Sequence, residues 1–122
     1  MSKQRKLIAL FATLALLTLT LAVPVGAFES REGQDIVIPA GETVADDLYA
    51  FADTVTVDGT IKGDLVAFGS TITVNGTVEG DLISAGQAVI INGAVNDDAR
   101  IAGAALQLTP KAIIGDDLIA AG

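Results

Sequence analysis

The sequence contains no cysteine, so it has no disulfide framework and no lipid-modifiable N-terminal thiol, and the fold depends on packing. Histidine is also absent. That removes the side chain most often used for general-base and metal-ligand work near neutral pH. Basic residues are scarce beyond the first six positions. From residue 28 onward, four Lys and Arg face fifteen Asp and Glu, a net charge of −11 that disfavours nucleic acid as a partner. At 122 residues the chain is at most one modest domain with a small core.

A long apolar run occurs at the N-terminus, from Leu7 to Val23, after Lys3, Arg5 and Lys6 and before Pro24. Val25-Gly26-Ala27 puts small residues at the −3 and −1 positions of a cut before Phe28. This is the pattern of a secretory signal peptide, a helix over residues 1–27. The competing reading is an uncleaved membrane anchor, because the run reaches the lower edge of the roughly 17–25 residues that span a bilayer. Both readings export the rest of the chain to the cell envelope or beyond.

What the sequence has in abundance is itself. DLYAFADTVTVDGTIKG begins at Asp47, DLVAFGSTITVNGTVEG at Asp64, DLISAGQAVIINGAVND at Asp81, and a divergent copy at Asp98. Superposing the units aligns Leu48, Leu65, Leu82, Ala99 and Leu118. It also aligns Val55, Ile72, Val89 and Leu106; Val57, Val74, Ile91 and Leu108; and Val44, Ile61, Val78, Val95 and Ile114. Within each unit these residues alternate with Thr, Gln or charge over β-branched runs, a period of two that specifies strand. The segments 38–48 and 108–118 match each other and carry a corner two residues longer than the interior ones.

Asp58-Gly59, Asn75-Gly76 and Asn92-Gly93 recur at one corner and suit positive φ. Asn-Gly between apolar alternations is also the strongest local hairpin signal, so a meander is the structural alternative. A meander gives no reason for every column of a seventeen-residue unit to recur. A parallel β-helix does, since each unit is a coil stacked on the next at roughly 4.8 Å and like residues lie over like. The prediction is an all-β solenoid of about five coils of 17–19 residues over 38–122, with 28–37 as a short leader.

The repeated G-D-L-x-A and T-x-T-V-[DN]-G-T-[IV]-x-G-D pattern resembles that of the bactofilins, the polymer-forming cytoskeletal proteins. The resemblance spans about Ile38 to Gly122. It implies a right-handed β-helix that assembles end to end into a homopolymer without nucleotide or other cofactor. Two departures stand out. Bactofilins are typically cytoplasmic, whereas this chain opens with an export signal, and exported relatives often continue into a C-terminal membrane region. The end after Asp116-Asp117-Leu118-Ile119-Ala120 reads as an unfinished coil, from a longer protein or from a unit that polymerises head to tail, as a homopolymer, through its uncapped edge.

Asp47, Asp64, Asp81, Asp98 and Asp117 recur at one corner and stack about one strand spacing apart. Such a ladder suits calcium, which takes six to eight oxygens, though the glycine-rich calcium-binding β-roll pattern is absent. The plainer reading is that Asp favours the turn and its charge keeps flat β surfaces from aggregating. Arg100 is the basic residue that a β-helical polysaccharide lyase would need. It lies in a column with Tyr49, Val66, Ile83 and Ile119, and reads as an outward residue whose stem covers apolar neighbours.

Tyr49, Phe51, Val66 and Phe68 form an interaction stripe if they face out, and are core if they face in. The small Ala50, Ala67 and Ser84 on the other parity leave that choice open. Thr54, Thr56, Thr71 and Thr73 make two T-x-T rows, too few for an ice-binding face, and Thr is a favoured strand residue. Asn75-Gly76-Thr77 is a formal glycosylation sequon that the corner's need for Asn-Gly explains.

No catalytic residue emerges. The sequence points to a non-enzymatic, self-associating envelope protein, with Leu108, Leu118 and Ile119 of the end coil and the Tyr49–Phe68 stripe as assembly residues. The alternative is a passive spacer or binding module of a longer envelope protein, binding cations or cell-wall polymer through its acidic corner, with the membrane as a further partner.

Overall fold

The structure is a computed structural model that describes residues 28–122, and the expected signal segment at 1–27 lies outside them. The described residues form strands and corners without helix. The strands β1 (Phe28–Ile38), β3 (Asp47–Val57), β5 (Leu65–Phe68) with β6 (Thr71–Val74), β8 (Leu82–Ile91), β10 (Ala99–Leu108) and β12 (Leu118–Ala121) stack as one sheet. The two-residue strands β2 (Thr43–Val44), β4 (Thr60–Ile61), β7 (Thr77–Val78), β9 (Ala94–Val95) and β11 (Ile113–Ile114) stack as a second. Every pairing is parallel, which excludes the hairpin meander. One long strand and the short strand after it make a turn, and about six turns build a β-solenoid.

The register reproduces the sequence columns residue by residue: Leu48 pairs with Leu65, Leu65 with Leu82, Leu82 with Ala99 and Ala99 with Leu118. Alternation sets the interior. In β3 the even positions Leu48 and Ala50 point inward and are fully buried, while Tyr49 and Phe51 point outward. After a bend near Ala52-Asp53 the inward parity passes to Val55 and Val57. An interior turn therefore contributes Leu65, Ala67, Ile72, Val74 and Val78 to a core from which water is excluded. Fully burying each of the larger side chains stabilises the stack by roughly 1.5–3 kcal/mol.

The segment 28–37 is more than a leader. It is most of β1, which runs parallel to β3 from Phe28↔Asp47 to Ile38↔Val57 and completes an extra turn. Its first half escaped the pattern because Glu29 and Arg31 occupy the positions that Leu48 and Ala50 hold one turn on. The longer corners match across the two ends as expected. The Glu42 N–H donates to the Pro39 carbonyl and the Ala112 N–H to the Thr109 carbonyl, both at 2.9 Å, closing a four-residue turn in each.

The corners do not use positive φ. Among the described residues only Gly33 has one, at 158°, so the reading of Asp58-Gly59, Asn75-Gly76 and Asn92-Gly93 as left-handed turns is corrected. Instead, consecutive amides converge on one carbonyl of the preceding turn: Asn75 N–H and Gly76 N–H both donate to Val57 O, at 2.8 and 2.9 Å. Glycine is required there because the turns approach too closely for a side chain. A Cβ on Gly76 would overlap the Gly59 carbonyl oxygen.

One core position breaks the apolar rule. Ser84 is 2% exposed in the column of Ala50 and Ala67, and its hydroxyl has no hydrogen-bond partner. Leaving a buried hydroxyl unpaired costs about 1–3 kcal/mol. Ser84→Ala is expected to stabilise the protein by about 1 kcal/mol in urea unfolding, and a loss of stability would show that the hydroxyl has a partner in solution.

Candidate functional site

The acidic corner is a hydrogen-bonded ladder. The Asp64 N–H donates to Asp47 Oδ1 at 2.7 Å, the Asp81 N–H to Asp64 Oδ1 at 2.7 Å, the Asp98 N–H to Asp81 Oδ1 at 2.9 Å, and the Asp117 N–H to Asp98 Oδ1 at 3.0 Å. Each carboxylate thus tethers the backbone of the next turn through a charge-assisted bond, stronger than a neutral one. This gives the column a structural reason for being Asp. At its upper end Asp98, Asp116 and Asp117 bring one oxygen each within 4.8 Å of the others. The Asp116 carboxyl is pushed above its ordinary range, first by the charge of Asp117 and then by that of Asp98.

A second ladder climbs the Asn-Gly corner. Asn75 Nδ2 donates to Asp58 Oδ1 at 2.8 Å and Asn92 Nδ2 to Asn75 Oδ1 at 2.6 Å. An amide both donates and accepts, so Asn repeats while the acceptor-only Asp58 sits at the foot. Sequence reasoning saw the turn chemistry here and missed the ladder, although a column reading Asp, Asn, Asn was its signature.

The two ends of the core differ. At the β1 end, Arg31 lies 2.7 Å from the Glu29 carboxylate and 2.9 Å from that of Glu42, and Glu29 and Arg31 sit on core columns. Below it Ile36, Ile38 and Val44 remain buried. At the other end Leu108 and Leu118, also on core columns, are 37% and 43% exposed, with Ile113 at 64% beside them. Among the described residues, Leu108 and Leu118 therefore form a cross-section of the core that no further turn covers. Ile119 is also exposed, but it pairs with Arg100 and belongs to the outward column of the side wall.

The open question of parity is resolved outward. Tyr49, Phe51, Phe68 and Ile83 are exposed and Val66 half-buried, while Ala50, Ala67 and Ser84 fill the interior. Phe51 stacks on Phe68 with ring centroids 5.6 Å apart, and Phe28 meets Tyr49 edge-on at 5.3 Å. Arg100 is exposed in this column, pairs with Ile83 and borders an apolar depression together with Ile83 and Ile119. The Thr rows pair as Thr54↔Thr71 and Thr56↔Thr73 and continue as Ala88 and Ile90. The assembly candidates thus sort into an end set and a side-wall set, and the Asp candidates into a structural spine.

Comparison with protein-family models, with curated proteins and with solved structures finds no match to this chain.

Proposed function

We propose that this chain is a non-enzymatic structural protein, bactofilin-like in its repeat, that is exported and self-associates through the end of its solenoid at the cell envelope. The observation that carries this reading is the register, in which every turn lays like residues over like through its strand edges, and at the last described turn these edges flank Leu108 and Leu118 on core columns. Among the described residues those edges are β11, β12 and the second half of β10, since β12 pairs only with Ala99–Ala102. Unpaired edges template the addition of further strands, and here that addition also buries a core.

The geometry favours like ends meeting. A head-to-tail contact would set the apolar Leu108–Leu118 surface against the Glu29–Arg31–Glu42 cluster and desolvate those charges. Two apolar ends related by a two-fold axis bury apolar surface on both sides and pair their edge strands antiparallel.

Leu108→Asp tests this. In a two-fold contact the residue enters twice, and each buried leucine contributes roughly 1.5–3 kcal/mol. The concentration of half-association is therefore expected to rise by more than tenfold in analytical ultracentrifugation, with the far-UV circular dichroism unchanged. Association that is indifferent to Leu108→Asp would remove the end from the contact. Discrete monomers of the parent chain at high concentration would favour the spacer reading.

A further inference from the structure

The side wall carries a step that is complementary to itself. Its two outward columns read Ser30, Tyr49, Val66, Ile83, Arg100, Ile119 and Glu32, Phe51, Phe68, Ala85, Ala102, Ala121 along the axis. The stacked Phe51 and Phe68 rings make a ridge over two turns. Beyond them the wall falls to a shallow apolar depression of about 300 Å³, bordered by Phe68, Ile83, Ala85, Arg100, Ala102 and Ile119. A ridge two turns long thus adjoins a trough of similar length in the same column.

We propose that this wall pairs with the same wall of a second copy, the solenoid axes antiparallel and the two-fold axis parallel to the strands. Such a rotation keeps each column facing itself and reverses the order of turns. With the axis between the turns of Val66 and Ile83, Phe68 enters over Ala85 and Phe51 over Ala102. Tyr49 of one copy meets Arg100 of the other, a cation–π arrangement. The contact is isologous, each ridge filling the partner's trough. A parallel pairing would oppose ridge to ridge and leave trough facing trough.

Charge selects the same surface. Across a segment of net charge −11, the four turns that face one another, Tyr49 to Ala102, contain in these columns no acid and one base, Arg100, while Glu32 precedes Phe51 in its column and lies at the rim opposite Ala121. Copies that repel one another elsewhere approach here at least cost, and added salt strengthens the pairing by screening the rest. The four turns that face one another span about 19 Å along the axis by about 13 Å across, so roughly 500 Å² in total is buried. That is below the roughly 1,200–2,000 Å² of a stable interface, so the pair is weak in isolation and forms when copies are held together.

The pairing is independent of the end contact, and the two have a joint consequence. Each alone is a closed two-fold contact that stops at a dimer. Together they alternate without closing, because an antiparallel pair presents one open end in each direction.

The absence of native cysteine makes single-cysteine cross-linking clean. Full-length chains carrying Val66→Cys and Ile83→Cys under different tags are co-expressed and treated with a bismaleimide spanning about 10 Å, the separation of face-packed sheets. Mixed Val66–Ile83 links are expected, stronger at high salt and abolished by Phe68→Asp. Ala102→Cys chains are expected not to link to themselves, since their positions lie three turns apart along the axis, about 14 Å. These links should persist in Leu108→Asp, which separates the two contacts. No Val66–Ile83 link, or an Ala102 self-link of equal yield, would overturn the proposal.

Discussion

Replacing Gly76 with alanine is expected to destabilise the protein by about 3 kcal/mol, a fall in melting temperature of roughly 10–25 °C for a domain of this size. The cause is steric and lies between turns. The new Cβ would overlap the Gly59 carbonyl oxygen and approach the Asp58 carbonyl carbon to 2.8 Å, and both are backbone atoms that no side-chain rotation moves. That same Gly59 oxygen accepts the Thr77 N–H at 3.0 Å, so making room opens the ladder that sets the spacing of the turns. Gly41→Ala is the control, because a Cβ there meets nothing within 4 Å. Thermal unfolding followed by circular dichroism measures both, and equal effects at the two positions would refute the close-approach explanation.

The second large effect is expected from Leu65→Ala. Leu65 is fully buried between Leu48 and Leu82, in the middle of the stack. Truncation removes its transfer free energy and leaves a cavity that turns locked in register cannot collapse to fill, a loss of about 2–5 kcal/mol. Leu118→Ala, in the same column but 43% exposed, is expected to cost under about 1 kcal/mol. In a solenoid each turn contacts only its neighbours, so a defect at Leu65 also weakens the coupling between the two halves. Urea unfolding of the two variants tests this, and equal losses would show that Leu65 is not the better-packed residue.

Much of this architecture was legible because a stacked coil writes its contacts into the sequence at a fixed period. The alignment of Val55 with Ile72 and Val89 is the register of the sheet itself. The paired longer corners at 39–42 and 109–112 were readable for the same reason. The first turn was hidden because its core columns hold Glu29 and Arg31, which serve an end and not a middle. The parity of Tyr49 and Phe51 was hidden because the inward alternatives are alanines, and hydrophobicity does not separate a small core residue from a large surface one. The Asn-Gly corners suggested positive φ from local chemistry, whereas the structure uses glycine for proximity between turns seventeen residues apart. The Asp column was readable as a position, but its bonds to the next backbone amide required three-dimensional placement.

In this account the acidic spine, the Asn ladder and the dry core build a rigid rod, and function resides in where that rod is left uncovered. The most direct measurement is fibre diffraction from assemblies of the chain, oriented in a magnetic field or a drying flow. Solenoids joined alternately through their ends and side walls place their strands across the fibre, so a reflection near 4.8 Å is expected on the meridian. The same reflection on the equator, or solutions that yield no fibres at any concentration, would contradict it.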